Sequence, residues 1–201
     1  MILIGLTGSI GMGKSTTAGM FKALGIPVND SDAVVHDLYR TDAVEPVGSA
    51  FPGTVRDGEI DRAELSRQLV DRPGGFKLLE SIVHPLVRER ERRFIAAQRA
   101  AGADIVVLDI PLLFETGSED RVDTIVVVTC DPQIQRQRVL ARPGMSEEKF
   151  RLILDRQMPD SQKRARADFL IDTGHGLEAA KQRVEEIIGL LRSGLRSERN
   201  A

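Results

Sequence analysis

The chain has 201 residues and a mass of 22.1 kDa, with 41% apolar and 29% charged residues, enough for one domain with an insertion. Its net charge of −2 gives no field that would attract nucleic acid or an anionic membrane, and no apolar run is long enough to span a bilayer. The single cysteine, Cys130, has no intramolecular disulfide partner and the N-terminus lacks a basic leader, so a cytoplasmic protein is expected.

Residues 1–6 form a short apolar run cut off by glycine, the pattern of a buried parallel strand. The next stretch, Gly8-Ser9-Ile10-Gly11-Met12-Gly13-Lys14-Ser15, fits G-x-x-x-x-G-K-[ST]. Gly8 and Gly13 are expected to take backbone conformations closed to other residues, so that successive N–H groups turn inward on a polyanion. A helix from about Lys14 to Leu24, closed by Gly25, adds its positive N-terminal end. Lys14 then bridges the terminal phosphates, the Ser15 hydroxyl holds Mg²⁺, and Gly11, Met12 and Thr16 complete the cradle. A ligand-free glycine turn is the bland alternative, but strand before and helix after is the context a nucleoside triphosphate site requires.

"IPVND" (26–30) reads as a second strand, followed by Asp30-Ser31-Asp32. A carboxylate past the end of a parallel strand can take the proton of an attacking hydroxyl; equally, it can cap the helix beginning near Ala33. Residues 33–102 are too many for one crossover. They include "DRAELSRQLVDR" (61–72) and "FKLLESIVHPLVRERERRFIAAQRAAG" (76–102), both with helical periodicity, and read as a helical insertion in which Pro85 kinks or restarts the second helix. "RERERR" (88–93) is expected to be a solvated face.

"ADIVVLDI" (103–110) and "DTIVVVTC" (123–130) are the clearest strands, and "ADFLIDT" (167–173) is a weaker fifth. Asp109 ends the third strand, where an acid either holds Mg²⁺ through water or simply terminates the strand before Pro111. A helix over about 132–141 places Arg138 and Arg142 on one face beside "RPG", with Arg136 pointing elsewhere. This pair reads as a mobile lid over the phosphates or as a solvated basic face. Ser146 caps the following helix, and Cys130 is expected to be a buried, inert thiol. The last helix, about 177–193, puts Ala180, Val184, Ile187, Ile188 and Leu191 on one face, and "SGLRSERNA" (193–201) is expected to fray.

Taken together, several segments resemble the dephospho-coenzyme A kinase family. "GLTGSIGMGKST" is similar to its opening loop, "DSDAVVHDL" to its D-x-D segment and "LLESIVHPLV" to its L-x-x-I-x-H-P segment. "PLLFE" (111–115), "QRQRVLAR" and "DRQMPDSQKRARADFLIDTG" follow in the same order, so the likeness runs from residue 2 to 174. The family usually has Gly where Ser9 stands, Ser where Met12 stands and often Asn where Thr173 stands. The resemblance implies an α/β, three-layer P-loop fold with a five-stranded parallel sheet, an acceptor-binding insertion at about 33–102 and a lid at about 136–158. It further implies ATP and dephospho-CoA as substrates, Mg²⁺ as cofactor and Asp32 as general base. Asp32, His84, Leu112, Phe114 and Glu115 would meet the acceptor, while Lys14 and Arg138 act on the phosphoryl group and Arg142 on ATP. Read on their own, Leu112, Phe114 and Glu115 are strand-end core plus one acid, and His84 is a histidine beside a helix proline. Gln157 and Lys163 stand between helix surface and active-site support. A monomer or weak homo-oligomer with no nucleic-acid or membrane partner is expected. Two rivals use the same opening loop: a kinase for another small acceptor, and a nucleotide switch. The absence of an N-K-x-D segment argues against the switch.

Overall fold

In the computed structural model, which describes residues 1–197, the alternating apolar and helical stretches become five parallel strands joined by helices. The order begins β1 (Ile2–Thr7), α1 (Lys14–Ala23), β2 (Val28–Asp30), α2 (Ser31–Leu38), α3 (Val44–Ala50), β3 (Val55–Arg56), β4 (Glu59–Ile60), α4 (Arg62–Asp71) and α5 (Gly75–Ala100). It continues with β5 (Ile105–Asp109), β6 (Thr124–Thr129), α6 (Pro132–Leu140), α7 (Glu147–Leu154), α8 (Asp160–Arg166), β7 (Phe169–Asp172) and α9 (Leu177–Arg192). The main sheet runs β2-β5-β1-β6-β7, and β3 and β4 form a separate two-stranded ribbon.

Two compact units emerge, Asp30–Ala97 and the remainder of the chain. In the larger unit β1 is central, in register with β5 (Ile4 opposite Val107) and with β6 (Leu6 opposite Val126). Alternation decides its faces. Ile2, Ile4 and Leu6 join Phe21 of α1 and Ala180, Val184, Ile187 and Leu191 of α9 in one core, the α9 stripe read from its spacing. On the opposite face Gly5 lies so close to Leu113 and Val122 that a Cβ would stand 2.7 Å from the Leu113 side chain. The start of the tail is anchored rather than frayed. Gly194 turns left-handed (φ 101), Leu195 donates its N–H to the Leu190 carbonyl (3.0 Å), and Thr124 Oγ1 donates to the Arg196 carbonyl (2.8 Å). Residues 198–201 of that tail lie outside the described residues.

Beneath the sheet surface a buried ion pair joins the turn after β5 to α8. Lys163 Nζ lies 2.8 Å from Glu115 Oε1, with the Lys163 side chain fully buried, so this lysine is not a surface residue. Glu115 Oε1 also accepts the Met158 N–H at 2.8 Å. Burial pushes the Glu115 carboxyl up, but the Lys163 ammonium and the Met158 N–H outweigh it, and the carboxyl is held below its ordinary value.

The smaller unit has its own core of Leu38, Val47, Phe51, Ile60, Leu65, Leu69 and Val83. Its ribbon turns on Asp57-Gly58 with both residues left-handed (φ 51 and 80), a two-residue hairpin with the usual Asp-Gly chemistry. Neither the ribbon nor α3 follows from helical periodicity; "DG" was the available signal. The α5 helix continues through Pro85 without restarting. Proline removes one donor, but the carbonyl it orphans is that of exposed Ser81, which water can satisfy. The 88–93 run is only partly a solvated face: Arg92 and Arg93 pair with Glu89, whereas Arg90 reaches Asp37 (3.4 Å) and Asp42 (3.0 Å), and Glu91 is buried.

Because the smaller unit has a separate core, Phe51→Ala should cost about 3–5 kcal/mol there. Amide exchange should accelerate more across α2–α4 than in β1, β5 and β6; uniform acceleration would contradict separate cores. The depressed Glu115 carboxyl fixes an acid limb. Its pairing stabilises the protein above the unfolded-state glutamate value, near 4.3, and that contribution is lost as pH falls through the lower folded value. The parent's advantage over Glu115→Gln in denaturant unfolding should therefore shrink across that window, and an advantage independent of pH would refute the ionic origin.

Candidate active site

A left-handed Gly13 (φ 94) heads α1 with no side-chain cap and no acid in the first turn. A helix start leaves its first N–H groups without intrahelical acceptors. Among the described residues, the N–H groups of Gly11, Gly13, Lys14, Ser15 and Thr16 have no hydrogen-bond acceptor. Ser15 and Thr16 are exposed. Open donors at a positive helix end are the chemistry that anion binding requires.

The glycines earn their places for different reasons. Gly11 (φ 77) and Gly13 need the left-handed region. Gly8 does not: a Cβ there would stand 2.6 Å from the Val128 carbonyl oxygen, so close approach of β6, rather than backbone conformation, demands glycine. This corrects the expected role of Gly8. The cradle also differs at Met12. Its N–H closes a turn on the Ser9 carbonyl (3.2 Å), and its buried thioether accepts from the Cys130 N–H (3.2 Å) and lies 3.4 Å from the Cys130 sulfur. Met12 therefore braces the loop against the segment that follows β6. Burial raises the Cys130 thiol pKa, as expected of an inert cysteine.

Lys14 Nζ lies 2.5 Å from Asp109 Oδ1, and Asp109, at the end of β5, is 2% exposed. The ammonium is thus held by a carboxylate where a phosphate oxygen would otherwise serve. For Mg²⁺, the chemistry of the oxygen donors present fits: Ser15 Oγ is exposed, and the Asp109 carboxylate pairs with Lys14, the residue before Ser15 in the chain.

Beside the loop lies a cleft of about 290 Å³ lined by Gly11, Thr16, Met20, Arg138, Arg142 and Leu177, among others. Arg138 donates from both outer nitrogens to Thr173, to Oγ1 and to the carbonyl, each at 2.8 Å. Thr173 Oγ1 in turn donates to the Met12 carbonyl (2.8 Å). The threonine therefore links the arginine to the loop. Because α6 ends at Leu140, Arg142 lies past the helix rather than on one face of it with Arg138; it is exposed, lines the same cleft and has no side-chain partner among the described residues. Arg136 points elsewhere, as expected, and bridges to Glu147 on α7 (2.7 Å).

In the smaller unit, Asp30 is the N-cap of α2, accepting the N–H groups of Asp32 (3.0 Å) and Ala33 (3.1 Å). This settles which of the two acids caps the helix. Asp32 is exposed and its carboxylate has no partner among the described residues. His84 is exposed on α5. In the larger unit Leu112 is exposed, whereas Phe114 is buried with the Arg166 guanidinium over its ring at 4.8 Å. Glu115 is engaged by Lys163 and Met158. Phe114 and Glu115 are thus turned inward, because the turn after β5 packs under α8. Sequence reasoning missed Gln135, which donates to the Ile10 carbonyl (2.7 Å), and left open Gln157, which accepts the Ile10 N–H (3.1 Å). Nothing in helical spacing marks a glutamine that reaches a distant loop.

A family model described as dephospho-CoA kinase (CoaE) matches residues 2–178. Dephospho-CoA kinases from Rhizobium meliloti and Rhizobium etli are 60% and 62% identical to the chain, each over 96% of it and over 100% and 95% of their own lengths. The solved structure of TT1252 from Thermus thermophilus has a TM-score of 0.82 at 35% identity, covering 96% of this chain and 98% of that one. The chain belongs to the dephospho-CoA kinase family, whose reaction is the ATP-dependent phosphorylation of the ribose 3′-hydroxyl of dephospho-CoA in the last step of coenzyme A biosynthesis.

Proposed function

We propose that the open N–H groups of Gly11 and of residues 13–16, in a loop braced by Met12, hold the β- and γ-phosphates of ATP while Asp32 prepares the ribose 3′-hydroxyl of dephospho-CoA. The observation that carries this reading is the set of unpaired loop donors around an uncapped helix start. Lys14 exchanges the Asp109 carboxylate for phosphate oxygens. Ser15, with Asp109 through water, would hold Mg²⁺, which when bound neutralises charge between the β- and γ-phosphates. Arg142 is open to the triphosphate, and Arg138, steadied on Thr173, lines the same cleft as part of a lid over about 136–158. The base and sugar of ATP fit the cleft beside Met20 and Leu177.

Asp32 is the general base. With Asp30 committed to the cap, the exposed and unpartnered Asp32 is free to take a proton. The insertion at about 33–102, with His84, binds the acceptor, and exposed Leu112 adds an apolar contact supported from within by Phe114 and Glu115. Catalysis then consists of positioning and electrostatics, with the attacking oxygen in line with the γ-phosphorus. Cys130, buried beneath Met12, is compatible with a reducing cytoplasm, and no helix among the described residues is long and apolar enough to cross a membrane.

Asp32→Asn should lower kcat by about 10²–10⁴ with ATP binding nearly intact, measured as ADP release and by calorimetric titration. Parental turnover in this variant would remove Asp32 from the base role. Lys14→Ala should weaken triphosphate binding and turnover together, and normal values for both would sink the cradle.

A further inference from the structure

Ile10 stands at the turn of the phosphate loop, and both polar groups of its backbone are taken by side-chain amides from outside the loop. Gln157 Oε1 accepts the Ile10 N–H at 3.1 Å, and Gln135 Nε2 donates to the Ile10 carbonyl at 2.7 Å. The backbone partners fix both amide orientations, since an N–H only donates and a C=O only accepts. Gln135 is 5% exposed, on α6. Gln157 is seated by its neighbour: the Met158 N–H is held by Glu115, itself locked by fully buried Lys163.

Peptide planarity turns these two bonds into control over the loop. No peptide here is cis, so each C=O points opposite to the N–H of the next residue. Drawing the Ile10 carbonyl toward Gln135 aims the Gly11 N–H away from α6. Drawing the Ile10 N–H toward Gln157 sends the Ser9 carbonyl the other way, where it accepts the Met12 N–H (3.2 Å). Reversing the Ile10–Gly11 plane would present an oxygen where a donor is needed, and oxygens repel phosphate; reversing the Ser9–Ile10 plane would break the Ser9–Met12 turn that shapes the loop before Gly13. The fit at Gly11 is tight, a Cβ there meeting Val139 at 2.5 Å, so the loop rests directly against α6.

We propose that Gln135 and Gln157 are positioning residues for phosphoryl transfer, clamping the Ile10 peptide so that the Gly11 N–H, and not a carbonyl, faces the triphosphate. The proposal rests on the cradle reading given above. The clamp acts on phosphates and leaves the base and sugar alone. It also uses opposite halves of the two amides, which gives it a signature that a generic packing role lacks.

The full-length protein is titrated calorimetrically with the imido analogue of ATP plus Mg²⁺, and separately with adenosine. Gln135→Met and Gln157→Met should each weaken the analogue about tenfold, the worth of one hydrogen bond, and leave adenosine at its parental affinity. The glutamate variants should cross over. Gln135→Glu, which loses the donor and faces the Ile10 carbonyl with a carboxylate, binds the analogue more weakly than Gln135→Met. Gln157→Glu, which keeps an acceptor, binds it more tightly than Gln157→Met. Parental analogue binding in both methionine variants, equal losses for adenosine and analogue, or the same ranking at both positions would overturn the clamp. If the Gln135 variants do not fold, the half-buried Gln157 pair decides by its own ranking. Lys14→Ala separates the two layers: its failure to weaken the analogue overturns the cradle itself, whereas its loss alongside parental glutamine variants overturns the clamp alone.

Discussion

A binding site made of backbone N–H groups must keep those groups unpaired inside a folded protein, and folding works against that. Buried and half-buried donors find acceptors almost everywhere else in a protein. Here the uncapped start of α1 and the left-handed glycines at 11 and 13 keep five donors open. The surrounding structure occupies other polar groups of the loop: the Ile10 N–H and carbonyl by two glutamines, the Met12 carbonyl by Thr173, and the Ser9 carbonyl by the Met12 N–H. What looks like an assortment of polar contacts is a single device for leaving the right groups without partners.

The elements that supply these contacts are far apart in sequence and meet because the sheet is parallel. β1, β6 and β7 run side by side, so the segments that leave their carboxyl ends arrive at one edge. The loop leaves β1 there, Cys130 and the α6 start leave β6, and Thr173 leaves β7. The Glu115–Lys163 pair adds a fourth segment, the turn after β5, to the same assembly.

Much of this was legible beforehand. The G-x-x-x-x-G-K-S spacing identified the loop because glycine demand and helix start are local properties, and the five strands and the α9 stripe followed from periodicity. The legibility failed where a residue's role depends on what lies across the sheet. Gly8 was given a conformational reason when its constraint is the carbonyl of Val128, a distance no sequence window contains. Glu115 reads as an exposed acid, but the buried Lys163 of α8 holds it, whereas Phe114 is buried as its reading as core implies. Lys163 offered no hint of complete burial, since lysines on short helices usually face water. The Asp57-Gly58 ribbon was overlooked although its turn chemistry is local, because helical periodicity on either side drew the whole segment into one reading.

The Lys14–Asp109 pair bears on which anions this cradle ignores. With its lysine paired to a nearly buried carboxylate, the proposed cradle should be a weaker trap for small anions than its open donors suggest. A lone phosphate or chloride must displace Asp109 and can repay only part of what is lost. A nucleoside triphosphate arriving with its metal offers several oxygens to the lysine and a cation to the abandoned carboxylate at once. On the proposed reading the internal pair would act as a threshold, favouring ligands that satisfy the lysine and the carboxylate together over a small anion that satisfies the lysine alone.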